Sequence, residues 1–337
     1  MGKVTSRGKG RNICLVGSGG VGTIAALTLQ NSGATVTAVL RSKYAIVEEK
    51  GWDIESIDHG TLKGWRPSRI VASISDAAPV SQEEQYDFVV VSTKQLPDLF
   101  SVAELVKPVV TPGRTSIVLI QNGIDIEVPI IAAYPTNTVM SAVSHIGSRT
   151  HGENQVIHTG NDTLKIGAHF HVGLGYDAQL ERTRDFMEMY SAGGAFDCTL
   201  TENISLARWE KILWNGTFNA LCAITRMDVG ELQTSKGRET LLLPMMREHV
   251  AIAKAVGYNL TEAQVQWTAY RLPNDCPFRP SMLLDLENGR PMELEVILAN
   301  PLRKAKQYGI NAPILSMAYE LLKLEKWKVE NLPQESH

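Results

Sequence analysis

Short apolar runs alternate with helix-length stretches through the first half of the chain. Residues 13–16 (Ile13-Cys14-Leu15-Val16), 35–40, 88–91, 116–120 and 139–146 read as strands. Two of them close on polar tails, Ser92-Thr93-Lys94-Gln95 and Gln121-Asn122-Gly123. Such alternation builds a parallel sheet with crossover helices, and the carboxyl ends of the strands are where ligands bind. Residues 155–158 and 164–167 read as an antiparallel pair around the turn Thr159-Gly160-Asn161-Asp162. From about Asn203 the apolar residues recur every three and four positions. That spacing predicts helices over 204–224, 238–256, 261–272, 292–308 and 314–325, with Pro273, Pro277, Pro280, Pro291 and Pro313 in the gaps.

The first strand runs into Gly17-Ser18-Gly19-Gly20-Val21-Gly22, and a helical stretch follows directly. Gly17 permits a tight turn, Gly19 lets backbone N–H groups approach a pyrophosphate, and Gly22 lets the helix pack closely on the sheet. The helix start adds unpaired N–H groups and the positive end of its dipole. The strand and helix flanking this turn turn a weak glycine motif into a dinucleotide-binding one. The second strand ends at Arg41-Ser42-Lys43, with no carboxylate to accept from ribose hydroxyls. An arginine there suits the extra phosphate of NADP(H), so Arg41 is read as its ligand, with Ser42 or Lys43 assisting. The predicted fold is α/β: a Rossmann-like N-terminal dinucleotide-binding domain over 11–202, then an all-α C-terminal domain over 203–330. A disordered polar tail is expected over 1–10.

Composition narrows the partners. A net charge of −3 gives no reason to expect nucleic acid, and no apolar run approaches the length of a membrane span. Cys14, Cys198, Cys222 and Cys276 lack metal-ligand spacing and read as buried thiols of a reducing, cytoplasmic compartment. Gly2 and Ser6 fit a loose myristoylation pattern, which Lys3 disfavours. The sequence does not set the oligomeric state, for which a homodimer is one option.

Lys211, Asn215 and Asn219 recur every four residues among Trp209, Ile212, Trp214 and Phe218, which would set a polar stripe in apolar surroundings. With Thr93-Lys94, Gln121-Asn122-Gly123, Ser281-Met282-Leu283-Leu284-Asp285 and Glu293 in the same order, the chain resembles the ketopantoate reductase (2-dehydropantoate 2-reductase) family from the glycine turn to the last helix. The resemblance implies NADPH-dependent reduction of a 2-oxo acid. Lys211 would be the general acid, and Glu293 would orient it and keep it charged. Asn215, Asn219 and Ser281 would hold the substrate, while Lys94 and Asn122 would sit at the nicotinamide end, Asn122 also touching substrate. Gly17, Ser18, Gly19, Gly20, Val21, Gly22 and Arg41 complete the cofactor site, and no metal is expected.

The chain departs from the family pattern at Val229, where asparagine is frequent, at Leu284, where glutamine is common, and at Leu298-Ala299, which replace an asparagine-glycine pair. Lost hydrogen-bonding groups would change which substrates fit, so another 2-oxo acid or a ketone is the rival substrate. A non-catalytic NADPH sensor is a third reading, opposed by the retained Lys211 and Glu293.

Overall fold

A computed structural model describes residues 10–332. Gly2 and Ser6, and all but the last residue of the expected tail, lie outside them. The chain forms two compact units: one comprises residues up to Lys94, Ser101–Gln121 and Glu127–Ile204, the other Gln95–Phe100, Asn122–Ile126 and the chain from Ser205 onward.

The first unit is a ten-stranded sheet. Its strands are β1 (Asn12–Val16), β2 (Thr35–Val39), β3 (Trp52–Ser56), β4 (Gly60–Trp65), β5 (Arg69–Val71), β6 (Phe88–Val91), β7 (Ser116–Leu119), β8 (Val139–His151), β9 (Gln155–Ala168) and β10 (Asp197–Leu200). The order β5-β2-β1-β6-β7-β8 is parallel throughout. That is the doubly wound arrangement, entered at β1 and reversing beside it. β1, β6 and β7 are buried almost end to end, as central parallel strands covered on both faces must be. Helices α1 (Gly20–Asn31), α2 (Tyr44–Lys50), α3 (Val102–Val106), α4 (Val128–Ala133) and α5 (Tyr176–Ala192) complete the unit. Ile24, Leu27 and Leu29 of α1 and Phe186, Met189 and Tyr190 of α5 join Ile13, Leu15, Val36, Phe88 and Val118 in one apolar core.

Beyond β8 the sheet departs from expectation. β9 is one 14-residue strand, antiparallel to β8, and not two strands about a turn at 159–162. Gly160 instead faces Gly147 at an irregularity in the ladder. Asp58 accepts from Asn161 Nδ2 (2.6 Å) and the Asp162 backbone N–H (2.8 Å), so those turn-like residues are satisfied from a distant segment. The reversal lies between His151 and Gln155, where Gly152 has φ +56°. β3, β4, β5 and β10 were not expected from the sequence. β3 and β10 pair in parallel with β9, and β4 forms a hairpin with β3.

The second unit is helical: α6 (Ile204–Asn215), α7 (Phe218–Thr225), α8 (Val229–Thr234), α9 (Leu243–Ala255), α10 (Glu262–Tyr270), α11 (Ser281–Glu287), α12 (Asn300–Tyr308) and α13 (Pro313–Asn331). The single helix expected over 204–224 breaks at Gly216-Thr217. There a side chain on Gly216 would collide with His249, 2.4 Å from its Nε2, while Thr217 Oγ1 bonds back to the Leu213 carbonyl. Burial pushes the His249 imidazole down to about 4, so a neutral ring packs against this break. α9 and α12 are each preceded by a wide π turn, Arg238–Leu242 and Glu295–Ala299. Among the described residues no helix is long and apolar enough to cross a membrane. No group of three or more His, Cys, Asp or Glu there could hold a metal ion. All four cysteines are free. Cys14 and Cys222 are buried as expected, whereas Cys198 and Cys276 are half-buried.

Candidate active site

In the first unit, β1 delivers the chain into the glycine turn with Gly17 at φ +113°. A Cβ there would lie 2.7 Å from the Thr93 backbone nitrogen, and one on Gly22 would lie 2.1 Å from the Gly17 carbonyl oxygen. Only glycine fits either position. Gly19 stands at the N-cap of α1, no side chain caps that helix, and a Cβ on Gly19 would meet nothing within 4 Å. Uncapped amides beside open space are what a pyrophosphate needs. Gly20 has another reason to be glycine, since a side chain would run into the backbone of Arg149 on β8 at 2.6 Å. Ser18 Oγ donates to the Leu40 carbonyl at 3.3 Å, tying the glycine turn to the end of β2.

At that strand end Arg41 is exposed, with φ +48°, and its guanidinium has no hydrogen-bond or ion-pair partner among the described residues. Lys43 is committed elsewhere. Its ammonium donates to the carbonyls of Gly152 (3.2 Å) and Glu153 (2.6 Å), fastening the β8–β9 reversal, so it is withdrawn from the expected phosphate set. Ser42 is exposed beside Arg41. These residues fit a dinucleotide with an additional phosphate: an open helix start, then an unpartnered arginine and a hydroxyl at the next strand end.

In the second unit, Lys211 and Asn215 lie one turn apart on α6, and Asn219 follows the break, on α7. Lys211 is half-buried. Burial, then the Arg208 guanidinium, push its ammonium down to about 8 against the opposing pull of Glu293, and Arg271 adds to the depression. Glu293, just ahead of the last π turn, is 9% exposed. Its Oε1 accepts from the Gln95 backbone N–H at 2.9 Å and its Oε2 from Asn122 Nδ2 at 3.0 Å. These two bonds hold the carboxylate in place. Asn219 Nδ2 donates to Asn215 Oδ1 (3.3 Å) and to Ser281 Oγ (3.2 Å), while Asn219 Oδ1 is buried without a partner. A buried acceptor left unmatched is a place for a ligand's donor.

Thus Lys211 and Glu293 share one electrostatic neighbourhood, Asn122 joins it through Glu293, and Asn215, Asn219 and Ser281 form a hydrogen-bonded chain. Lys94 follows β6 in the first unit, after Thr93, whose carbonyl accepts from Gln121 Nε2 at 2.8 Å. Sequence reading missed Arg208 and Arg271. Arg208 is buried and donates to the Gly123 carbonyl at 2.8 Å. Its position three residues before Lys211 was the available signal, since that spacing shares a helix face. Val229 and Leu298, read as departures that reshape the pocket, have no accessible surface and belong to the packing of the unit. Ala299 is buried too, at 3% exposed, and of the four departures only Leu284 is half-buried. Gly230 and Glu231, next to Val229, are structural: Glu231 and Asp228 form a capping box on α8, and a side chain on Gly230 would meet Asp275 and Cys276 backbone.

Known proteins match both units. A family profile described as "Ketopantoate reductase PanE/ApbA" covers residues 13–170, and "Ketopantoate reductase PanE/ApbA C terminal" covers 203–326. An uncharacterized protein of Saccharomyces cerevisiae is 36% identical across 94% of each chain. The crystal structure of 2-dehydropantoate 2-reductase from Methylococcus capsulatus is 32% identical, with a TM-score of 0.80 over 96% of this chain and 98% of that one. The fold is shared too by D-mandelate dehydrogenase in a ternary structure with NADH and anilino(oxo)acetate, at 21% identity and a TM-score of 0.81 over 95% of this chain and 99% of that one.

Proposed function

Because the chain belongs to the ketopantoate reductase family, an oxidoreductase family acting on CH–OH groups with a nicotinamide dinucleotide, we propose that it reduces 2-dehydropantoate to (R)-pantoate with NADPH. The reading sets this reaction in pantothenate biosynthesis, in the cytoplasm. The observation that carries it is Lys211, an ammonium with its pKa drawn down to about 8 beside the anchored Glu293 carboxylate.

Bound NADPH supplies the hydride that the carbonyl carbon receives. The chain's residues do the rest. Gly17, Ser18, Gly19, Gly20, Val21 and Gly22 present the helix start to the pyrophosphate, and Arg41 takes the additional phosphate. Lys94 and Asn122 serve the nicotinamide end. Asn215, Asn219 and Ser281 hold the substrate's polar groups, the free Asn219 Oδ1 accepting from a hydroxyl. Lys211 Nζ polarises the carbonyl and gives its proton to the oxygen as negative charge builds there. Glu293 keeps the ammonium charged until that moment, since a nearby carboxylate favours the protonated amine.

A second reading, reduction of a bulkier 2-oxo acid, is favoured by aromatic surface close to Lys211. Trp214, three residues on along α6, has Phe278 at 6.1 Å between ring centroids, and Phe278 is 46% exposed. NADPH oxidation by the purified protein, with 2-dehydropantoate beside a panel of aliphatic and aryl 2-oxo acids, separates the two. Preference for 2-dehydropantoate supports the first reading and preference for an aryl acid the second; no oxidation with any of them overturns both.

A further inference from the structure

Arg271 follows the last turn of α10, and its guanidinium carbon lies 4.2 Å from the ring centroid of Trp214 and 5.1 Å from that of Trp267. Two tryptophan faces therefore flank one cation. What it lacks is an anion: it has no hydrogen bond or ion pair among the described residues, and its Nε is buried without an acceptor. Other arginines of the same unit have acceptors: Arg279 pairs with Glu287 and Arg290 with Asp285 at 3.1 Å, while Arg238, over the Tyr270 ring, donates through Nη2 to Gln233 and to Asn274 (2.7 Å) although its Nε too is buried without an acceptor.

Its place on the molecule says what the missing anion is. Trp214 lies three residues after Lys211 on α6, a spacing that sets both side chains on one face of the helix, so Arg271 packs on the neighbour of the proton donor. Burial lowers the Arg271 pKa, yet an arginine stays charged at any working pH. We propose that Arg271 is the binding residue for the carboxylate of a 2-oxo acid whose carbonyl is addressed by Lys211. The planar fork of a guanidinium matches a carboxylate at two points, and the two rings hold the fork, the buried Trp214 from within and Trp267, 64% exposed, from the solvent side. The carboxylate also relieves the mutual repulsion of Arg271 and Lys211. In this arrangement Asn215, Asn219 and Ser281 are left for hydroxyl and carbonyl groups.

The inference rests on the reductase reading for the identity of the substrate, so its test is a binding measurement without turnover. Oxamate, an unreactive 2-oxo acid mimic, and its neutral ethyl ester are titrated into the NADP⁺-loaded protein by calorimetry and by the fluorescence of the flanking tryptophans. The wild type is expected to bind oxamate at least about tenfold more tightly than the ester, a preference set by one charge-assisted pair. Arg271→Gln removes the preference while leaving ester affinity within about twofold, and Arg271→Lys restores part of it. The proposal is overturned if wild-type protein binds neither probe or shows no preference, or if the preference survives in Arg271→Gln. Should the Gln variant fail to fold, an undiminished preference in Arg271→Lys also counts against the two-point contact. Oxamate bound through Arg271 by a protein that oxidises NADPH with no 2-oxo acid would defeat the reductase reading alone.

Discussion

If Lys211 delivers the proton, the pH dependence of reduction is written into its surroundings. Its pKa falls from 10.5 to about 8, a handicap for the charged form of about 3 kcal/mol, arising first from burial and then from Arg208. The ammonium is then about nine-tenths formed at pH 7 and about one-tenth at pH 9, whereas an unperturbed lysine would hardly change. Reduction should decline above pH 8, with kcat/KM approaching a tenfold loss per unit, and oxidation of the hydroxy acid should gain over the same range. Replacing Glu293 by glutamine preserves the shape and removes the negative charge that favours the ammonium. The limb should move to lower pH by on the order of one unit. Initial rates of NADPH oxidation from pH 6 to 10, for wild type and Glu293→Gln, measure both limbs. A wild-type limb above pH 10, or a Glu293→Gln limb that stays put or moves upward, would refute the assignment of Lys211 as the titrating donor.

Two further outcomes follow from the first unit. Arg41→Ala should weaken NADPH binding by on the order of tenfold or more while leaving NADH nearly unchanged, because only NADPH carries the phosphate that the guanidinium would meet; equal losses in a fluorescence titration would place the selectivity elsewhere. Asp162 is held up to about 6 by burial, opposed by its 2.7 Å hydrogen bond from Tyr190 and reinforced by Asp58. A carboxyl raised in the folded state adds stability below its ordinary pKa near 4 and loses it as the pH climbs through 6. Between pH 4 and 7 the wild type should lose about 2 kcal/mol relative to Asp162→Asn in urea unfolding, and parallel pH profiles would contradict this.

The parts of this molecule that were legible beforehand are those with local causes. The β1–α1 turn announces itself because Gly17 and Gly22 answer contacts within a few residues or at the end of the adjacent β6, and the buried parallel strands read as continuous apolar runs. Thr159-Gly160-Asn161-Asp162 has every local mark of a turn and is strand, because Asp58 and Tyr190 supply from elsewhere the hydrogen bonds that a turn would supply itself. β3 and β4 are short and carry charges, and their pairing with a distant β9 leaves little trace in their own residues. Within the candidate site, the order of Lys211, Asn215, Asn219, Ser281 and Glu293 was visible through family resemblance. Arg208 left only its spacing from Lys211 as a sign and Arg271 left none, since an arginine reads the same whether it meets water, a carbonyl or two tryptophans. Val229 and Leu298, where the family pattern carries polar residues, have no accessible surface, a burial that their own sequence neighbours do not reveal.

If Lys211 is what makes a reductase of this nicotinamide-binding fold, Lys211→Ala should abolish the chemistry and spare the cofactor site. With turnover measured on the best 2-oxo acid and NADPH affinity measured alongside, kcat should fall by on the order of 10² or more with cofactor binding intact. Near-normal kcat in a variant that still binds NADPH would contradict it.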